Sequence, residues 1–410
     1  MRLVVLLLPL LLSQLLFGAE VRAIVPTSGP ALIGPYSPGI SAGDYVYVSG
    51  QGAKGPDGSM PDSFAGQVRQ TLENVKAIVE AAGLTMDHIV YTQVYLEDIR
   101  NFDQMNSVYA QYFQKAPPAR ATLGVAKLLG TPVEINAVAV RDIANKKPIV
   151  VAGYDPHEPV SPGVLTHDRL YVSGMRGRDV HTGTIPTDPG EQVDAALDGV
   201  KAVLEAAGLG MGNMVFVNPY LTTQIPARVM NKLYASRFEF GNTPARATIE
   251  VSSLPEGAQI EYTGVAVRDL AQRHAIRPKN MPPSPTASPC VFAGDTLYCS
   301  AKSAFIPGPN SGVYATTIEN QVRQSLRNLL DNLEEADMDF SDVVAANVYL
   351  DDLSDFQAMN KIYAKYLKTP FPARTTVAQL PPVERKVDDE GRYSSLEQIS
   401  FIAVRGPRKP

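Results

Sequence analysis

The chain has 410 residues, enough for several domains of ordinary size, so more than one core is expected. Apolar residues make up 45% of it and charged residues 19%, the balance of a folded globular protein and not of a disordered or collagen-like one. A formal net charge of −5 gives no general attraction to phosphate backbones or anionic lipid, which argues against nucleic acid as the principal partner.

Met1-Arg2, an almost wholly apolar run from Leu3 to Phe17 and the small-residue pair Val21-x-Ala23 form the pattern of a secretory signal peptide, with cleavage after Ala23. The run is shorter than the roughly 20 residues of a spanning helix. The expectation is an exported chain, periplasmic or secreted, that starts near Ile24 and has no further membrane contact.

Beyond the leader the periods alternate. Tyr45 to Ser49 is strand-like after an Ala42-Gly43-Asp44 turn. Val68, Leu72, Val75, Ile78 and Val79 recur at helical spacing up to the glycine stop Ala82-Gly83. His88 to Leu96 is a strand rich in β-branched and aromatic residues, Phe102 to Phe113 a second amphipathic helix, and 120–126 and 133–140 two final strands. This order, ββαβαββ, predicts an α+β layer with two helices on one face of a sheet. The order then repeats. Gln67-Val68-Arg69 returns as Gln192-Val193-Asp194 and Gln321-Val322-Arg323, while Pro118-Ala119-Arg120 returns as Pro244-Ala245-Arg246 and Pro372-Ala373-Arg374. Both markers space whole domains, giving units at 24–145, 146–272 and 273–410, the last with a polar insert at 383–394. Cys290 and Cys299, the only cysteines, flank an Ala293-Gly294-Asp295 turn; a cross-strand disulfide and two buried thiols both remain open, because register decides whether the Cβ atoms meet.

Ile33-Gly34-Pro35-Tyr36, Val48-Ser49-Gly50-Gln51, Val75 to Gly83, Pro118-Ala119-Arg120 and Val133 to Val140 together resemble the YjgF/RidA family, and the later units carry the same marks with departures. The resemblance implies three chorismate-mutase-like domains joined as an intramolecular pseudo-trimer, a monomer acting as an internal trimer, with ligand sites in the clefts between units. It also implies hydrolytic deamination of small 2-imino or enamine acids to 2-keto acids and ammonia, with no cofactor.

A site built into the unit should recur. None of the five histidines does, which leaves no material for repeated metal sites or Ser-His-Asp chemistry. Arg120, Arg246 and Arg374 recur among small or apolar neighbours, where a guanidinium needs an anion: a substrate carboxylate, as the family resemblance implies, or an internal acid. Glu134 and Glu261 stand where the family orders the attacking water, and the third unit has Gln398 there. Tyr36 matches a family tyrosine and is replaced by Val160 and Ala287. The expected catalytic set is therefore Arg120, Arg246, Arg374, Glu134, Glu261 and Tyr36. Substrate contacts are expected from Ser49, Gly50, Ser173, Gly174 and Ser300, and from Asn106, Asn231 and Asn360, which either line the clefts or cap helix turns. The first site is expected to be the most complete and the third the least. A rival reading is an exported, non-catalytic binder of small keto or other carboxylic acids; an endoribonuclease or a scaffold fits the acidic balance and the missing histidines less well.

Overall fold

The computed structural model describes residues 20–154, 157–306, 313–380 and 394–406. The apolar run of the leader, and the 383–394 insert apart from Ser394, lie outside the described residues. In the first unit the elements are β1 (Val21–Ile24), β2 (Gly39–Ala42), β3 (Tyr45–Gln51), α1 (Phe64–Ala81), β4 (Ile89–Leu96), α2 (Phe102–Tyr109), β5 (Ala119–Gly124) and β6 (Val133–Val140). The second comprises β7 (Lys147–Ile149), β8 (Gly163–Leu165), β9 (Arg169–Arg176), α3 (Pro189–Ala206), β10 (Met214–Leu221), α4 (Ala227–Ala235), β11 (Ala245–Arg246), β12 (Ile249–Glu250) and β13 (Ile260–Val267). The third comprises β14 (Arg273–Ile276), β15 (Cys290–Ala293), β16 (Thr296–Cys299), α5 (Ile318–Glu335), β17 (Val343–Leu350), α6 (Phe356–Tyr366), β18 (Ala373–Ala378) and β19 (Glu397–Val404).

Each unit is the expected ββαβαββ order with one short edge strand ahead of it, the penultimate strand of the second unit being split into β11 and β12, both paired with β10. The first sheet runs β1-β2-β3-β6-β4-β5, with only β4 and β5 parallel. Its first helix starts where the Ser63 side chain accepts from Gly66 N–H, and the chain leaves it through Gly83 at φ 77°, a conformation open to glycine. Between these ends Val68, Leu72, Val75, Ile78 and Val79 form the buried stripe, packed on β3 and β6. The edge strand β1 pairs Val21 to Ile24 with β2, so cleavage after Ala23 would remove three of its four residues. Cys290 and Cys299 face each other across β15 and β16 and are joined as a disulfide.

The sheet faces turned away from the helices meet one another. Tyr47, Ala119 and Val140 of the first unit, Tyr171, Phe216 and Ala245 of the second, and Val291, Tyr298 and Ala373 of the third belong to one buried cluster. A second cluster joins Tyr95, Tyr220 and Tyr349, which occupy one repeat position. Apolar side chains on three sheets that have no other cover drive this closure, so the chain forms an internal barrel of three units.

At one rim, the three copies of a single repeat position are unlike residues. Arg169 is 1% exposed and touches all three units: its guanidinium lies 4.2 Å from the Tyr45 ring, donates to Tyr298 Oη at 2.9 Å and Thr296 Oγ1 at 3.2 Å, and pairs with Asp168 at 2.5 Å. Arg169→Met leaves those acceptors buried without a donor, and the expected loss is about 3 kcal/mol in a chemical denaturation curve of the whole chain.

The third unit also buries Glu397, fully, where the others place Val133 and Ile260. Burial pushes its carboxyl up to about 8, against a hydrogen bond donated by Ser325. Because the folded value lies above the unfolded one, near 4.3, this group's stabilising contribution is complete below about pH 4 and lost as pH rises through about 8. Glu397→Gln should therefore lose less stability than the parent between pH 5 and 8, measured as the shift in thermal midpoint.

Candidate active site

The clefts are built by a backbone contact that runs round the barrel. Ser49 Oγ donates to Ser37 O at 2.6 Å and accepts the N–H of Arg374, from the third unit, at 2.8 Å. Ser173 does the same with Ser161 O and the Arg120 N–H of the first unit, and Ser300 with Ser288 O and the Arg246 N–H of the second. Each hydroxyl gives its proton and one lone pair to backbone and keeps one lone pair toward the cleft. The same contact sends each arginine into the neighbouring unit's cleft. Arg374 faces Glu134 and Tyr36, Arg120 faces Glu261, and Arg246 faces Gln398. Arg120 therefore does not serve the cleft of Glu134. The asparagines are also placed. Asn106 Oδ1 accepts from Arg120 at 2.6 Å and Asn231 Oδ1 from Arg246 at 2.8 Å, so they hold the arginines and do not cap helix turns.

The cleft of Arg374 is open, with a volume of about 140 Å³. Its guanidinium is buried among Tyr36, Phe356 and Tyr363, at 5.3, 5.5 and 5.1 Å from the ring centres. It forms no ion pair among the described residues, and burial lowers its affinity for its proton. Across the cavity Glu134 is 6% exposed, and burial pushes its carboxyl up to about 8, with the Arg374 charge and the Thr376 backbone acting in the opposite sense. Gly50 is required beside it, because a Cβ there would lie 1.9 Å from Glu134 Oε1. Gly34 performs the same service for the guanidinium, with a Cβ position 2.6 Å from Arg374 Nη2. The site thus offers one buried cation, one buried carboxyl that titrates near neutrality, and room for a small acid.

The cleft of Arg120 keeps an arginine opposite a glutamate, with Val160 for Tyr36, and has no room. Arg176 replaces Gly52 of the first unit, and Glu158 bridges both guanidinia, to Arg120 at 2.6 Å and to Arg176 in a shorter contact. The remaining space of about 10 Å³ admits one water at most. Glu261, with its carboxyl also raised to about 8, faces a cation already neutralised by a carboxylate of the chain itself. Neither Glu158 nor Arg176 was singled out by sequence; the signals were the aligned Gly52-to-Arg176 change and an acid two residues before Val160.

The cleft of Arg246 departs furthest. It has Gln398 for glutamate and Ala287 for Tyr36, and Ala301 stands where the other units have Gly50 and Gly174. Its volume is about 360 Å³, and Lys302 joins Arg246 in its wall. No cluster of three or more His, Cys, Asp or Glu suited to a metal occurs among the described residues, and none of their helices is long and apolar enough to cross a membrane.

Glu158→Ala leaves two buried guanidinia without their acid, so the variant should lose about 3 kcal/mol of stability. Acetate at tens of millimolar should raise the variant's thermal midpoint by several degrees and the parent's by less.

A sequence model of the family described as Endoribonuclease L-PSP matches residues 27–141, 152–268 and 280–387. The 2-iminobutanoate/2-iminopropanoate deaminase of Escherichia coli K12 is 42% identical over 125 residues, which span 29% of this chain and 98% of that protein. A RutC family protein of Saccharolobus solfataricus is 40% identical over 119 residues, covering 28% of this chain and 94% of that protein. The crystal structure of the Escherichia coli YjgF gene product aligns at 42% identity with 29% of this chain and 98% of its own, with a TM-score of 0.29. Each of these relatives corresponds to one unit, and the family model matches three times over. The chain belongs to the YjgF and L-PSP family, in three tandem copies folded on one another.

Proposed function

We propose that the protein hydrolyses small 2-imino acids to 2-keto acids and ammonia, and does so at the cleft between its third and first units. The observation that carries this reading is a buried guanidinium with no acid of its own, Arg374, facing a buried carboxyl of near-neutral affinity, Glu134, across about 140 Å³. The names of the single-unit relatives point to the same chemistry.

Arg374 takes the substrate carboxylate in its planar fork, packed among the rings of Tyr36, Phe356 and Tyr363. The imine carbon then lies toward Glu134. Its carboxylate form accepts a proton from water as the water oxygen bonds to C2 and the C=N electron pair moves to nitrogen. The proton passes to that nitrogen, giving a carbinolamine; its C2 hydroxyl proton then moves through Glu134 to the same nitrogen as the C–N bond breaks, so ammonia leaves and C2 becomes a carbonyl. Water plus imino acid gives keto acid plus ammonia, with no oxidant and no metal. Orientation of reactants and one general base, worth about 10²–10⁴-fold, suffice for a substrate already electrophilic at carbon.

The leader and the Cys290–Cys299 bridge support export, since a disulfide persists in an oxidising compartment. N-terminal sequencing of the exported chain reads the cleavage position, and a start that retains Val21 keeps β1 whole. The binding-protein alternative predicts tight capture of a keto acid at Arg374 with no acceleration of imine hydrolysis.

With 2-iminobutanoate generated by an amino acid oxidase, Arg374→Ala should lower kcat/KM at least 100-fold, whereas Arg120→Ala should change it less than threefold. A base acts when deprotonated, so kcat/KM should rise about tenfold per pH unit and level off above about pH 8. Glu134→Gln should remove that rise.

A further inference from the structure

The cleft between the second and third units has lost the parts of a hydrolytic site together. A Cβ at the Gly50 or Gly174 position would strike the glutamate carboxyl, at 1.9 or 2.1 Å from Oε1, so a glutamate at 398 beside Ala301 would have to move its carboxyl out of the position that Glu134 and Glu261 hold. Gln398 is instead tied down, donating through Nε2 to Thr248 O at 3.2 Å and Gln379 Oε1 at 2.7 Å. Among the described residues, no carboxylate in the wall can take a proton from water as Glu134 can.

What the cleft has gained is charge and space. Arg246 donates to Asn231 and to Met230, and its guanidinium lies 5.0 Å from the Tyr234 ring. The ring that Phe102 and Phe356 bring to the other arginines is missing, because α4 begins with Ala227 at that repeat position. Lys302, on the segment after β16, lines the same cavity, and burial lowers its affinity for its proton with no acid acting against it. Thr248, Ser284 and Gln398 supply neutral polar groups, Thr248 Oγ1 being buried and unpartnered, and no acidic side chain among the described residues lines the cavity. Both cations are desolvated in this one cavity, and an anion that meets both relieves that cost.

We propose that this cleft is a non-hydrolytic binding site for a small dianionic acid, one carboxylate seated on Arg246 and a second anionic group on Lys302. The Arg374 cavity of about 140 Å³ has only the exposed Lys54 beside its arginine, whereas Lys302 here is half-buried in about 360 Å³, and that calls for a longer ligand with charge at both ends. The inference does not depend on the deaminase reading, since it uses none of Arg374, Glu134 or Tyr36.

The test is calorimetric titration of the full chain carrying Arg374→Ala, so that the other open cleft does not contribute, with 2-oxoglutarate and 2-oxobutanoate as probes. One equivalent of 2-oxoglutarate should bind at least tenfold more tightly than 2-oxobutanoate. Lys302→Gln should bring it down to the level of the monoacid, Lys302→Arg should restore most of the difference, and Arg246→Gln should abolish binding of both, with folding of every variant checked by circular dichroism. Equal affinity for the two acids, indifference to Lys302→Gln, or no binding by the folded chain would overturn the proposal.

Discussion

A serine hydroxyl that accepts the next unit's arginine N–H is the contact on which both the barrel and its clefts depend. Ser49, Ser173 and Ser300 each hold their own unit's chain by donating to a carbonyl twelve residues back, and each uses one lone pair for the backbone of a different unit. The edge strands β5, β11 and β18 are thereby set against β9, β16 and β3. A strand fixed in this way can project its arginine in only one direction, into the neighbour's cleft. No unit contains a complete site, and a complete site requires the barrel to be closed.

Joining three copies in one chain also frees each repeat position to change alone. In an assembly of identical subunits three like residues must meet on the axis, so three tyrosines or three arginines would crowd the rim. Here Tyr45, Arg169 and Thr296 meet and satisfy one another. The clefts have diverged by the same freedom. Glu158 and Arg176 fill one, Ala287, Ala301 and Gln398 strip another, and the third keeps Tyr36, Gly50 and Glu134 opposite Arg374. Glutamate and its glycine partner are lost together, and the two are linked by space, since a Cβ at the glycine position falls where the glutamate carboxyl sits.

The repeat markers exposed the three units because whole-domain duplication preserves spacing, and the helical stripe from Val68 to Val79 was legible because its period matches the buried face. Strands as short as β1 and β7 carry too few residues to show a period, and their place comes from pairing with β2 and β8. The site residues were found by recurrence, yet their partners were not. Which arginine faces which glutamate is decided by the direction in which the barrel closes, and nothing local to Arg120 or Arg374 encodes that direction. The serines recurred for a structural reason, the backbone hydrogen bond that a serine at a strand end usually makes. Glu158 had no counterpart in the other units and so passed through a filter built on repetition, although it decides whether the cleft of Arg120 is open.

The most direct measurement is a crystal structure of the full chain soaked with 2-oxobutanoate at neutral pH, read at all three arginines. The account predicts keto-acid density with its carboxylate on Arg374 and its carbonyl toward Glu134, while Glu158 still bridges Arg120 and Arg176. An empty Arg374 cleft, or density on Arg120 with Glu158 displaced, would contradict it.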